Sequence, residues 1–205
     1  MLRLTSLICT QLCVLTACAF AQADFSAEIA NLSATSNTFH TKIFSTKDKL
    51  RFQGEDKSGR TNSIMIVNLA TRTSVVLMPQ QHQYVENKRP QIPGQGVTFF
   101  QASNVEDACA EYQKVSETKK GTCRKTGHET LNGRDTVRYE VSPGESGLIW
   151  IDVKLHFPLK WQTSVGKGEL RDIKEGSQSA ELFEIPPGYA KRSYANPATP
   201  KAAQH

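Results

Sequence analysis

The chain has 205 residues and a formal charge of +5, with 25 Lys and Arg against 20 Asp and Glu. That length is enough for one domain with a real core and leaves little room for two. The densest basic group, Lys119, Lys120, Arg124 and Lys125, has no aromatic side chain interleaved, which counts against nucleic acid as a partner, and the five cysteines include no C-x-x-C, which opposes a structural zinc site.

Met1–Ala23 carries one basic residue, Arg3, and then an uncharged run, Leu4–Ala21. It closes on two overlapping A-x-A sequences, Ala19-Phe20-Ala21 and Ala21-Gln22-Ala23. This is the pattern of a secretory signal peptide. A transmembrane anchor is the competing reading. The run has about the length of a span, but Thr, Ser, Gln and Cys dilute it. Leu15-Thr16-Ala17-Cys18 also resembles the bacterial lipobox, in which Cys18 becomes the lipidated first residue. The expected location is therefore the periplasm, or the outer membrane if Cys18 is lipidated. The expected domain is 24–192, followed by a disordered tail, 193–205, rich in Ala and Pro without periodicity. Losing Arg3 leaves the mature part at about +4.

Alternation of apolar and polar residues places strands at Asp24–Asn31, Thr38–Thr46 and Lys49–Gln53. Gly54–Asn62 is a polar loop. Ser63–Leu69 (SIMIVNL) is almost continuously apolar and suits a strand buried on both faces; Thr73–Met78 pairs with it as a hairpin. Pro79–Gln81 turns the chain into a short strand at His82–Val85. Asn87–Gly96, with Pro90, Pro93, Gly94 and Gly96, is irregular. Ser103–Val115 is the one helical pattern: Ser103 and Glu106 form a capping box, and Val105, Cys109 and Tyr112 make an apolar stripe. Thr126–Leu131 and Asp135–Val141 flank Asn132-Gly133, a hairpin signal.

Gly147–Leu155 is the strongest strand signal, with Ile149, Ile151, Val153 and Leu155 alternating with Trp150, Asp152 and Lys154. Pro158 cannot donate a ladder hydrogen bond, so the strand is expected to turn there and return over Leu159–Val165. Glu169–Lys174 is a further strand, and Gln178–Ile185 is the last element before Pro186-Pro187-Gly188-Tyr189.

The sum is about ten strands and one helix without a βαβ rhythm, hence a mainly β protein with an antiparallel sheet. A sheet of that size must curl, close or split. One helix cannot cover two faces. The expected architecture is a strongly curved sheet, a half-barrel, with the helix and the 87–102 segment capping its concave face. A two-sheet sandwich is the runner-up.

Cys109 and Cys123 are the two cysteines downstream of the signal. In an exported domain they read most simply as a disulfide, contributing on the order of 3 kcal/mol by chain entropy. Metal binding is the alternative, with only His128 nearby in sequence. Lys119, Lys120, Arg124 and Lys125 form the densest basic group; they suit a solvated loop or contact with an anionic membrane surface.

Several phrases, in this order, resemble the outer-membrane lipoprotein carrier superfamily, the LolA/LolB/RseB-like fold. They are Lys49-Leu50-Arg51-Phe52, Pro79 followed by Tyr84, Gly127-His128-Glu129 before Asn132-Gly133, Trp150-Ile151-Asp152, Phe157-Pro158-Leu159-Lys160, and Phe183-Glu184-Ile185-Pro186-Pro187-Gly188-Tyr189. The resemblance spans roughly 24–192. It implies an exported half-barrel that holds an acyl chain, a lipid or a lipidated protein in its concavity. On that reading the lining candidates are Ile64, Ile66, Phe99, Phe100, Ile149, Ile151, Val153 and Trp161, although the same residues would also form an ordinary core. A periplasmic protein-interaction module with a filled core is the alternative function.

Catalysis is not expected, and no cofactor is implied. There is no G-x-S-x-G, H-E-x-x-H or P-loop. His128 beside Glu129, and His156 four residues after Asp152, are the only pairs of note. On an extended strand the latter two stand about 13 Å apart.

Overall fold

The computed structural model describes residues 22–32, 40–88, 99–115, 121–142, 146–164 and 166–192. The signal segment with Cys18, the tail and most of the 87–96 excursion lie outside these residues.

Twelve strands form one sheet. They are β1 (Phe25–Asn31), β2 (His40–Ser45), β3 (Lys49–Glu55), β4 (Thr61–Asn68), β5 (Thr73–Met78), β6 (Gln83–Asn87), β7 (Thr122–Leu131), β8 (Arg134–Ser142), β9 (Gly147–Asp152), β10 (Pro158–Thr163), β11 (Gly166–Glu175) and β12 (Ala190–Lys191). The helix α1 is Cys109–Val115. The order is β12-β6-β5-β4-β3-β2-β1-β11-β10-β9-β8-β7. Two meanders, β1–β6 and β7–β11, are thus welded along β1 and β11, with Ile29 opposite Leu170. The sheet does not close, and β12 lies parallel to β6. The curved, mainly antiparallel sheet expected from the sequence is present, with twelve strands for the expected ten or so and one parallel pair at its edge. The added strand has two residues, too few for any periodicity.

The sheet bends around an apolar interior. The Phe99 ring lies 5.5 Å from Phe52 on β3 and meets Trp161 on β10 edge-on at 5.2 Å, ring centre to ring centre. Those strands are four places apart, about 19 Å in a flat sheet. The two rings that share Phe99 lie no more than about 11 Å apart, so the sheet curls toward them, as a half-barrel does.

Side-chain alternation sorts the two faces. Phe25, Ile29, Ile43, Leu50, Phe52, Val67, Val137, Tyr139, Ile149, Ile151, Leu159 and Trp161 are buried on the inner face. Trp161 stands opposite Gly168 on β11. A methyl group at position 168 would overlap the indole ring, so glycine there is what lets the tryptophan lie flat. The outer face has its own smaller cluster, Ile64, Ile66, Leu77 and Phe183, covered by the segment that follows β11. The 3₁₀ turn Ala180–Phe183 in that segment stands where Gln178–Ile185 was expected as the last element.

Three local readings change. The strand through Gly147 ends at Asp152, not at Leu155. Asp152 Oδ1 accepts the N–H groups of Lys154 and Leu155 at 2.9 and 2.8 Å and folds the chain into a turn. Pro158 then opens β10, a position where its missing N–H costs nothing. Helix formation begins as a 3₁₀ turn, Val105–Asp107, whose cap is Asn104: its side chain accepts the Glu106 N–H at 2.9 Å. Ser103 instead donates to Glu111 Oε1, so the capping box does not form. At Asn132-Gly133 both residues have positive φ, 50° and 76°, as the hairpin signal requires.

Candidate functional site

The concave face is closed by a cover, residues 99–115, laid across β8, β9 and β10. Its apolar teeth are Phe99, Phe100, Ala102, Val105, Ala108 and Tyr112, all buried. Phe99 stacks on Phe157 at 5.4 Å with 10° between ring planes, and Phe100 meets Tyr112 edge-on at 5.9 Å.

Polar clamps hold the backbone of the cover. His156 pairs with Ala102 twice: the Ala102 N–H donates to the His156 carbonyl at 2.9 Å, and His156 Nδ1 lies 2.8 Å from the Ala102 carbonyl. A carbonyl only accepts, so Nδ1 carries the proton. The Tyr139 hydroxyl donates to Val105 O at 2.7 Å and accepts from the Ala108 N–H at 3.1 Å. Burial raises the Tyr139 pKa. Gln101 reaches Ser45 Oγ and Thr46 O at 3.0 and 2.7 Å. Glu106 pairs with Lys125, and its Oε2 lies 3.3 Å from His128 Nε2. The hydrogen bond from Lys125 holds the Glu106 carboxyl below its usual range. Last, Cys109 and Cys123 form a disulfide, so the metal alternative for these two residues falls.

Beneath the cover runs a seam lined by Phe100, Ala108, Tyr112, Cys123, Tyr139, Val141, Ile149 and Ile151, with no charged side chain among them. The side chains meet closely enough to leave no room for a water molecule.

Of the lining candidates, Phe99, Phe100, Ile149, Ile151 and Trp161 come together on the inner side. Ile64 and Ile66 do not; they sit on the outer face with Leu77 and Phe183. Alternation on β4 sends Met65 and Val67 inward instead. Val153 is in the turn after β9 and is 36% exposed. Sequence reasoning passed over Tyr139 and His156 as clamps. The available signal was a tyrosine on an otherwise apolar strand face, whose hydroxyl needs a buried partner.

On the outer face the Arg51 guanidinium donates to Leu182 O at 2.8 Å and to Gln53 Oε1 at 2.9 Å, and desolvation lowers its pKa. Trp150 lies flat under Lys160, whose ammonium is 5.3 Å from the ring centre, while its indole N–H donates to Glu129 at 2.8 Å. Arg134 grips Asp152 with two nitrogens and Glu175 with one.

In the basic group, Arg124 pairs with Glu140 and Lys125 with Glu106, which neutralises two of the four charges; Lys119 and Lys120 lie outside the described residues. The two histidine pairs noted in the sequence do not form as side-chain pairs. His128 turns to Glu106, and Glu129 to Trp150 and Arg138. His156 and Asp152 lie across one turn, joined by the His156 N–H to the Asp152 carbonyl at 2.9 Å, with their side chains on other partners. Among the described residues no three His, Cys, Asp or Glu are grouped to hold a metal ion.

No family model and no curated protein matches the chain. Solved structures do. A PNGF-II crystal structure matches at 9% identity and a TM-score of 0.52 over 83% of this chain, which spans 31% of that one. MucB matches at 12% identity and 0.43 over 82% of this chain and 58% of its own. An uncharacterized conserved protein from Thermus thermophilus matches at 11% identity and 0.48, over 84% and 93%. This chain therefore spans less than a third of PNGF-II but nearly all of the Thermus protein. At 9% identity the likeness to PNGF-II is one of fold alone.

Proposed function

We propose that this is an exported, non-enzymatic envelope protein that takes up an acyl chain, from a lipid or a lipidated protein, between its cover and the inner face of β7–β9. One observation carries the reading: the seam under the cover is lined wholly by apolar and aromatic groups, on a sheet curved enough to wrap a chain. The export pattern of residues 1–23 and the sequence resemblance point the same way. Uptake requires the cover to lift, because the seam is shut against even a water molecule.

That closed packing also favours a second reading, a protein-interaction module with a filled core and no cargo. One experiment separates them. Protein purified from its own envelope is examined by native mass spectrometry, then delipidated and titrated with cis-parinaric acid. Co-purified lipid and saturable fluorescence enhancement support the carrier. A stoichiometric protein partner with no saturable probe binding supports the interaction module and sinks the carrier.

A further inference from the structure

We propose that the Cys109–Cys123 disulfide is a thiol-operated latch on the cover, a role that rests on the acyl-chain reading above. The bond joins the first residue of α1 to the second residue of β7. β7 is the last strand of the sheet and pairs only with β8, so the bond sits at the open rim of the half-barrel. Both cysteines are partly exposed. Cys123 is at the same time a wall of the apolar seam, beside Tyr112 and Tyr139.

The arrangement of the other ties gives the bond its leverage. The paired hydrogen bonds to His156, both Tyr139 hydrogen bonds, the Gln101 contacts and the Glu106–Lys125 pair all fall on residues 101–108, before α1. On α1 itself Arg72 donates to Lys114 O, and Tyr112 packs on Phe100. Beyond the main chain itself, the disulfide is the one covalent cross-link between the described cover and the sheet. Intact, it pins α1, and so Tyr112, over Tyr139 and Val141. Broken, it leaves α1 held by non-covalent contacts, the Arg72 hydrogen bond to Lys114 O and packing on a seam that an apolar chain can contest.

The chemistry is thiol–disulfide exchange with a dithiol reductant, such as a protein with two neighbouring cysteine thiols. Its thiolate attacks one sulfur, the Cys109–Cys123 bond breaks, and the displaced thiolate takes up a proton. The second reductant thiol then resolves the mixed disulfide. Two electrons have moved: this protein holds two thiols, and the reductant a disulfide.

The test compares three forms of the full mature protein: oxidised, reduced with dithiothreitol and capped with iodoacetamide, and Cys109→Ser/Cys123→Ser. Each is titrated with cis-parinaric acid, and near-UV circular dichroism reports its tertiary packing. The latch predicts that both open forms keep their near-UV signal and bind the probe about tenfold more tightly than the oxidised form, as the fraction with a lifted cover rises. Equal affinity in all three forms overturns the latch and leaves the carrier reading standing. Absence of binding in every form overturns both. Loss of the near-UV signal in the open forms makes the bond a folding staple and overturns the latch.

Discussion

Replacing Phe99 by alanine measures how firmly the cover is seated. The side chain is 2% exposed and is wedged among three rings, Phe52, Phe157 and Trp161, with centres 5.2 to 5.5 Å away. Truncating a buried phenylalanine costs about 3–5 kcal/mol, and three ring contacts place this site near the upper end, at ~4 kcal/mol. For a domain of this size each kcal/mol lowers the melting temperature by about 2–4 °C, so a fall of roughly 8–16 °C is expected. The assay is thermal unfolding by circular dichroism with the disulfide intact, alongside Trp161 emission, which shifts as its edge contact is lost. Val153→Ala serves as the contrast. That residue shares the apolar alternation of Ile149 and Ile151 but stands exposed in a turn, so it should cost no more than about 0.5 kcal/mol. A Phe99→Ala loss under about 1 kcal/mol would refute the reasoning, because the cover could then not be seated on the sheet as described.

Three further outcomes are expected. Gly168→Ala pushes a methyl group into the Trp161 ring and should cost about 1–3 kcal/mol by urea denaturation; an unchanged midpoint would show that the indole has room to move. Arg134→Ala strips the guanidinium from a carboxylate that is 1% exposed and should cost roughly 3 kcal/mol at pH 7, somewhat relieved because the Lys154 and Leu155 N–H groups still reach Asp152. Acid should loosen the cover through Glu106. Its folded pKa is lowered by Lys125, so the pairing is fully present above the ordinary value of 4.5 and is lost as the pH falls through the folded value. The protection of the Ala108 amide against hydrogen exchange, corrected for the intrinsic pH dependence of exchange, should therefore fall below pH 4.5 in the wild type, and show no such acid step in Glu106→Gln.

Much of this was legible in the chain, and the misses have physical causes. Asn132-Gly133 announced its hairpin because few other pairs accept two positive φ angles. Ile149 and Ile151 declared the inward face of β9 by alternation alone. Alternation then ran on through Val153 and Leu155 by coincidence, while the carboxylate of Asp152 ended the strand by capping the backbone of the next residues. On β4 the run Ile64-Met65-Ile66-Val67 is apolar on both sides. It suited a strand buried on both faces, as β4 is, but could not say which residues faced the concavity. That depended on the chain after β11 returning to cover the outside, a long-range event with no local signature. At the helix, Ser103 and Asn104 are adjacent competent caps, and the tertiary position of the cover decided between them.

The weld between β1 and β11 has a kinetic consequence. Residues paired across it, such as Phe25 with Glu175, are separated by nearly the whole described chain. Pairings this distant in sequence make folding slow, because loop closure must be met before the contact repays it. A chain emerging amino terminus first presents β1 long before β11 exists, and until then one edge of β1 stands open to any other strand. Folding intermediates of this protein should therefore be most prone to aggregate along β1, and agents that shield that edge should raise the yield of native protein.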